Sequence, residues 1–147
     1  MSQENVEVVR AIFERWNAGD RTVAREYLDP AVEAETPFSS VSGTPYRGYP
    51  GFEQWLREID EQFSEWQTRH DDVREVGNTV IAIGSVHARG RSSGIEFDLP
   101  YALVADFGSD HRIIRVRIHT DVNAALEAVG LRESDKPVGQ PRHGSQS

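Results

Sequence analysis

The stretch "GFEQWLREIDEQFSEW", residues 51–66, sets the class of fold because the chain changes from helical to strand character at its end. Its first part predicts an amphipathic helix, since apolar side chains recur at helical spacing while acidic ones fill much of the other face. After Trp66 the chain instead has the composition and turn spacing of strands. A helix that leads directly into a run of strands indicates an α+β layered domain. The apolar stripe of this helix consists of Phe52, Trp55, Leu56, Ile59 and Phe63.

The segment before this helix predicts two more helices and one strand. Residues 2–19 have apolar side chains at helical spacing, and a shorter helix is expected between Asp20 and the pair Asp29-Pro30. Residues 31–38 fit a short strand, and residues 39–50 predict a loop because they are rich in Gly, Pro and Ser. The side chains expected to face inward from the two helices are Val6, Val9, Ile12, Phe13, Trp16, Val23, Tyr27 and Leu28.

Four strands are expected after Trp66, near residues 67–76, 79–90, 95–107 and 112–120. Short turns separate them, so they should form an antiparallel meander. A last short helix is expected over residues 121–129. The expected architecture is therefore α+β, with three N-terminal helices packed in a curled antiparallel β-sheet that forms a cone-shaped pocket.

Composition narrows the classes of function. The 147 residues predict one domain over residues 1–131, followed by a disordered tail over residues 132–147 that lacks apolar periodicity. The net charge of −8 opposes nucleic-acid binding, and the absence of cysteine excludes disulfides and thiolate chemistry. No apolar run is long enough to span a membrane, and the first residues lack a signal-peptide pattern. A cytoplasmic location is expected.

Four local strings carry a resemblance to a known family: "WNAGD" at 16–20, "YRGYPGFEQWLREI" at 46–59, "SSGIEF" at 92–97 and "RVRIHTDVNAALEAVGL" at 115–131. Together they resemble the SnoaL-like branch of the nuclear-transport-factor-2-like superfamily. The resemblance implies a cystatin-like α+β roll with a hydrophobic pocket. It implies either a cofactor-independent cyclase, isomerase or dehydratase acting on a hydrophobic carbonyl compound, or a non-catalytic module that binds or senses a small ligand.

The resemblance also bears on assembly and on one specific activity. Many relatives pair through the outer face of the sheet, which implies a homodimer whose interface includes Ile81, Ile83 and the charged residues of 112–120. The ketosteroid-isomerase activity is not expected, because its three catalytic positions correspond to Thr36, Ile12 and Leu103, which have other chemistry.

His119 and Asp121 are the first candidate catalytic residues. Residues two apart in a strand share a face, and the resemblance to SnoaL-type cyclases implies an acidic residue with a histidine nearby. The alternative, which we favour, is that Asp121 caps the last helix while His119 lies on the outer sheet face with Arg115 and Arg117. The side chains expected to share the opposite face are Ile114, Val116 and Ile118.

Glu35 is the third candidate catalytic residue. A carboxylate at the end of the first strand, among Phe38, Trp16 and Trp55, would have its pKa raised by burial and would serve as a base. A solvated carboxylate at the strand end is the favoured alternative.

The charged residues of the hairpin expected from the strands near 79–90 and 95–107 also have a functional and a structural interpretation. Arg89, beside His87, would bind a carboxylate or enolate substrate. The favoured interpretation is cross-strand charge pairing with Glu96 and Asp98.

The expected ligand-binding pocket suits a flat hydrophobic small molecule. Aromatic residues at helical spacing are ordinarily core, and the family resemblance favours a pocket position for Trp16 and Trp55 specifically. The histidines lack metal-ligand spacing, and no phosphate-binding loop is present, so neither a metal nor a cofactor is expected. The residues expected to line the pocket are Trp16, Phe38, Trp55, Ile59, Tyr101 and Leu103.

Overall fold

The computed structural model describes residues 4–20, 22, 24–36 and 45–130. Four helices and six strands form this part of the chain. In chain order they are α1 (Glu4–Asn17), α2 (Ala24–Tyr27), β1 (Leu28–Glu35), β2 (Tyr46–Arg47), α3 (Gly48–Gln62), β3 (Phe63–Val76), β4 (Thr79–Gly90), β5 (Glu96–Phe107), β6 (Ile113–His119) and α4 (Val122–Ala128). None of the described helices is long and apolar enough to cross a membrane.

The six strands form one curled sheet in the order β2-β1-β6-β5-β4-β3. The meander from β3 to β6 is antiparallel, as expected from its short turns. β1 pairs with β6 in parallel, which the sequence did not predict. The long connection between them contains α3 and four strands, so the chain can return to β6 in the same direction.

The curl depends on a close approach of β3 to β4. Gly84 pairs with His70 on β3 and with Tyr101 on β5. A Cβ atom on Gly84 would lie 1.8 Å from the carbonyl oxygen of Arg69, so no side chain fits there. The register of β3 against β4 shifts between His70 and Asp72, which is the signature of a bulge. Bulges and glycines are the usual means by which a sheet is bent.

The concave face of the sheet contains the main core. Helices α1 and α3 supply Val9, Trp16, Phe52 and other side chains that pack onto inward-facing residues of the strands. Even-numbered residues of β4 and odd-numbered residues of β5 face this side, because their side chains belong to the same clusters. The expected inward orientation of Tyr101 is confirmed.

The convex face has a smaller core beneath α4. Ala125 and Leu126 of this helix pack on Ile81, Ala102 and Val104, and all five side chains are fully buried. The expectation that Ile81 supplies a surface for a second subunit is therefore wrong, because the chain's own last helix covers it.

The third helix differs from its expected bounds at both ends. It begins at Gly48 rather than Gly51, and Pro50 fits its first turn because the missing N–H has no helical partner there. Phe63, expected on the helical stripe, begins β3 instead. The Arg91 guanidinium donates hydrogen bonds to the carbonyl oxygens of Asp60 and Phe63, and so stabilises this helix end from a distant loop.

The second helix is shorter than expected. Leu28, Asp29 and Pro30 belong to β1. The Asp20 carboxylate accepts hydrogen bonds from Thr22 and Arg15.

Several expectations fall outside the described residues: the orientation of Val23, the position of Phe38, part of the loop at 39–50 and the tail over residues 132–147.

Strand β6 also differs in its facing pattern. Its register against β5 shifts between Asp106 and Phe107, so Ile113 is buried while Ile114 is 43% exposed. The expectation that Ile114 shares the inward face with Val116 and Ile118 is wrong because the irregularity offsets the alternation.

Replacing Gly84 by alanine tests the close approach of the two strands. We expect Gly84→Ala to lower the free energy of unfolding by more than about 3 kcal/mol, since the clash is with backbone rather than with a flexible side chain. Gly94→Ala is the control: Gly94 has a φ of +70° with open space around it, so strain alone should cost about 1 kcal/mol. Urea unfolding measures both, and equal losses would contradict this account of the curl.

Candidate functional site

A partly open cavity of about 90 Å³ lies between the concave sheet face and the helices α1 and α3. Among the residues that the structure describes, sixteen line this cavity; nearly all of them are apolar, and none carries a formal charge. They are Val9, Ile12, Phe13, Trp16, Leu28, Phe52, Trp55, Leu56, Ile59, Trp66, Thr68, Tyr101, Leu103, Ile113, Val116 and Ile118. Such a wall favours an apolar ligand.

Helix α1 is attached to the edge strand β3 by side-chain hydrogen bonds. The Trp16 indole donates to the carbonyl oxygen of Trp66 at 2.9 Å. The Asn17 side chain donates to the carbonyl oxygen of Thr68 at 2.8 Å and accepts from its backbone N–H at 3.0 Å. These bonds satisfy strand groups that have no neighbouring strand. They also fix Trp16 and Thr68 at the cavity wall.

All three tryptophans of the chain line the cavity. Trp55 lies edge-on to Phe52 with ring centroids 5.2 Å apart, and Trp66 lies 4.8 Å from Phe63. The partly buried Trp55 also stacks on Tyr46, whose hydroxyl donates to Glu58. Burial and this carboxylate together raise the pKa of Tyr46 to about 12. The aromatic wall is thus held in place by contacts behind it.

Tyr101, on one side of the cavity, forms a hydroxyl–imidazole pair with His70, which is not itself among the described lining residues. Tyr101 lines the wall, and its hydroxyl oxygen lies 3.0 Å from Nε2 of His70. The His70 ring stacks on Phe13 with centroids 3.7 Å apart. Burial lowers the pKa of His70 to about 4 and raises that of Tyr101 well above its ordinary value. Both groups are therefore uncharged at neutral pH.

The sequence did not identify His70, although it identified Tyr101. Histidine 70 stands in "QTRHDDVREV", which is polar and gives no sign of which residues face inward. Its inward position follows from the pairing of β3 with β4 and from the bulge after it. The register of the sheet therefore brings His70 next to Tyr101, which the sequence had predicted to line the pocket.

Five of the six residues expected to line the pocket do so: Trp16, Trp55, Ile59, Tyr101 and Leu103. Phe38 lies outside the described residues. Ligand binding by these side chains stays a prediction.

The three candidate catalytic residues do not line the cavity. His119 pairs with Ala102, which packs beneath α4, so His119 lies on the convex face of the sheet. Asp121 is the N-cap of α4, where its Oδ1 accepts hydrogen bonds from the backbone N–H groups of Asn123 and Ala124. Glu35 forms an ion pair with Arg115 at 3.3 Å.

These residues are nevertheless close enough to influence one another on the convex face. Burial and the charge of Arg117 lower the pKa of His119, while Glu35 and Asp121 act in the opposite direction. Within the described part of the chain, Nε2 of His119 and Nε of Arg117 are buried without a hydrogen-bond partner. The grouping belongs to the back of the sheet, not to the cavity.

The charged residues of the β4–β5 hairpin form ion pairs across the two strands, which is the interpretation that the sequence favoured. His87 contacts Asp98 at 2.9 Å and Glu96 at 3.1 Å, and Arg89 contacts Glu96 at 3.2 Å. These carboxylates raise the pKa of His87. Among the residues that the structure describes, no group of three or more His, Cys, Asp or Glu side chains is arranged to hold a metal ion.

Comparison with known proteins gives one family match. The model of the SnoaL-like domain family matches residues 9–116. No functionally curated protein matches this chain.

Many solved structures share the fold. An NTF2-like protein of unknown function from Burkholderia pseudomallei has 20% identity, covers 88% of this chain and 99% of its own, and superimposes with a TM-score of 0.73. A candidate SnoaL-like polyketide cyclase from Jannaschia has 24% identity, coverage of 92% and 94%, and a TM-score of 0.68. A protein with a ketosteroid isomerase-like fold from Catenulispora acidiphila, solved in complex with trimethylamine, has 14% identity. It covers 89% of this chain and 98% of its own, and superimposes with a TM-score of 0.68. At such low sequence identities, the structural similarity establishes the fold alone.

The cap at Asp121 gives a test of its role. We expect Asp121→Asn to keep wild-type stability, because asparagine caps helices about as well as aspartate. Asp121→Ala should lower the free energy of unfolding by about 0.5–2 kcal/mol, since two backbone N–H groups lose their acceptor. Thermal and urea unfolding measure both. Equal destabilisation by the two substitutions would show that the charge matters rather than the cap.

Proposed function

The chain belongs to the SnoaL-like domain family, and we propose that its cavity binds a small, flat, hydrophobic molecule. The observation that carries the proposal is the wall itself. Six of its sixteen side chains are aromatic, and none is charged. Burial of apolar ligand surface against such a wall is the main source of affinity in small-molecule sites.

The size of the cavity limits the ligand. Drug-sized ligands occupy pockets of roughly 300–1,000 Å³. At about 90 Å³ this cavity suits a molecule of about one ring, or one end of a longer molecule that extends through the open side.

Placing a charge on the wall should abolish binding. Trp55 is only partly buried, so Trp55→Glu can fold while it puts a carboxylate against the ligand. We expect α-methylstyrene to bind the wild type and to lose at least about tenfold in affinity with this variant, since a buried carboxylate costs more than the roughly 1.4 kcal/mol that this represents. Fluorescence of the wall tryptophans and calorimetry measure the affinities.

Gln62→Glu is the matched control for this experiment. It adds the same single charge at an exposed position of α3, away from the cavity. Binding should be unchanged in this variant. Equal binding by Trp55→Glu and the wild type would refute the assignment of the cavity as the ligand site.

A second candidate function is a cofactor-independent cyclase, isomerase or dehydratase acting on a hydrophobic carbonyl compound. The Tyr101–His70 pair favours it, because a hydroxyl bonded to an uncharged imidazole can hold or move a proton next to a bound substrate. The described wall residues include no carboxylate to serve as the base that removal of a proton from carbon needs, which favours the non-catalytic alternative.

Hydrogen–deuterium exchange separates these two functions. An enzyme that removes a proton beside a carbonyl should accelerate exchange of the acetophenone methyl group in D₂O, observed by NMR. A binding module should bind acetophenone and leave the exchange rate at that of buffer. Exchange that is accelerated equally by the wild type and by Tyr101→Phe would place the catalytic group elsewhere.

We propose in addition that the protein forms a homodimer through the convex face of the sheet. Support comes from Ile114, which is an exposed apolar side chain on β6, and from the arginines beside it. Contacts across a two-fold axis would cover both. The mass in solution, measured by light scattering, tests this: a value at 16.5 kDa would contradict it.

A further inference from the structure

We infer that the Tyr101 hydroxyl, bonded to Nε2 of His70, is the polar recognition point of the cavity, and that it binds one uncharged oxygen of the ligand either as a donor or as an acceptor. The inference rests on the proposed function, because it names the class of ligand that the same cavity takes. That class is a hydrophobic ring compound with a single carbonyl or hydroxyl oxygen, including the keto and enol forms of one compound.

The position of the pair is the first argument. Tyr101 is 4% exposed and lines the cavity, so its hydroxyl has no free access to bulk water. Within the described part of the chain, His70 is the hydrogen-bond partner of this hydroxyl. A tyrosine hydroxyl has one hydrogen to donate and two lone pairs, so one bond to His70 leaves bonding capacity unused. A ligand oxygen in the cavity would use that capacity.

The chemistry of His70 is the second argument. An uncharged imidazole has one N–H group and one nitrogen lone pair, and the two tautomers exchange these between its nitrogens. When Nε2 carries the hydrogen it donates to the tyrosine oxygen, and the hydroxyl hydrogen is free to bind a ligand carbonyl. When Nε2 carries the lone pair it accepts from the hydroxyl, and the tyrosine oxygen accepts from a ligand hydroxyl. The stacking of His70 on Phe13 keeps the ring in place for both arrangements.

The same surroundings disfavour charged ligands. None of the lining residues that the structure describes provides a positive charge for a carboxylate or a negative charge for an amine. An unpaired charge in an apolar site costs several kcal/mol or more. The cavity should therefore bind acetophenone at least about tenfold more tightly than benzoate, which has a similar size.

Two matched pairs of probes isolate the contribution of the oxygen. Acetophenone and α-methylstyrene have the same shape, with and without an acceptor. Phenol and toluene have the same shape, with and without a hydroxyl. We expect the oxygenated member of each pair to bind the wild type more tightly, by about fivefold to tenfold, which is the equivalent of one ordinary hydrogen bond. Tyr101→Phe should remove this preference and leave α-methylstyrene and toluene binding unchanged.

Tyr49→Phe is the matched control. Tyr49 also has a half-buried hydroxyl, which donates to the carbonyl oxygen of Leu28 at 2.9 Å, but it does not line the cavity. This variant should lose a hydrogen bond and keep the preference for oxygen. If the hydrocarbons bind and Tyr101→Phe leaves the preference unaltered, the recognition point is wrong while the proposed function stands. If no probe binds the wild type, both are wrong.

The role of His70 as a positioning residue has a spectroscopic signature. The ¹⁵N shifts of an imidazole distinguish the nitrogen that carries hydrogen from the one that carries the lone pair. We expect acetophenone to favour hydrogen on Nε2 of His70, and phenol, the stronger donor, to favour hydrogen on Nδ1. His70→Gln identifies the resonances by their loss. The same tautomer with both ligands would overturn the switching and leave His70 a purely structural partner.

Discussion

The close approach of β3 to β4 at Gly84 is the constraint on which the rest of the structure depends. Because Gly84 has no side chain, the backbone of Arg69 can occupy the space where a Cβ atom would lie. The sheet bends at this point instead of continuing flat, and its concave face becomes deep enough to receive two helices. His70 and Tyr101, the two pairing partners of Gly84, are thereby brought to one side of the cavity.

The helices complete the cavity with the same aromatic side chains that form the core. Trp16 is held by its bond to β3, while Trp55 and Phe52 support each other on α3. Fold and site therefore share residues, and a substitution in the wall acts on both. The candidate polar group of the cavity, Tyr101 with its partner His70, lies on strands and not on a helix. β5 is fixed by ladder hydrogen bonds on both sides, and the edge strand β3 is fixed by its ladder to β4 and by the side-chain bonds from α1. Tyr101 and His70 are therefore held at a defined distance.

The sequence predicted the elements that depend on local periodicity and turn chemistry. The stripe of α3, the four long strands, the cap at Asp121 and the inward orientation of Tyr101 all follow from side-chain spacing. What it missed depends on pairing between distant segments. Periodicity cannot show the parallel pairing of β1 with β6, the irregularity that exposes Ile114, or the inward position of His70. For Glu35 and His119 the sequence offered both a catalytic and a structural interpretation, because the face of a strand that meets the cavity is set by register. The structural interpretation, which the sequence favoured, agrees with their position outside the described cavity wall.

The central claim is that the cavity under α1 and α3 is where this protein binds its ligand. Intermolecular nuclear Overhauser effects between bound α-methylstyrene and side-chain methyl groups test it most directly. The account predicts contacts to Val9, Leu103 and Ile118, which line the cavity. Contacts confined to Ile95 or Ile114, the exposed aliphatic side chains of the outer surface, would contradict it.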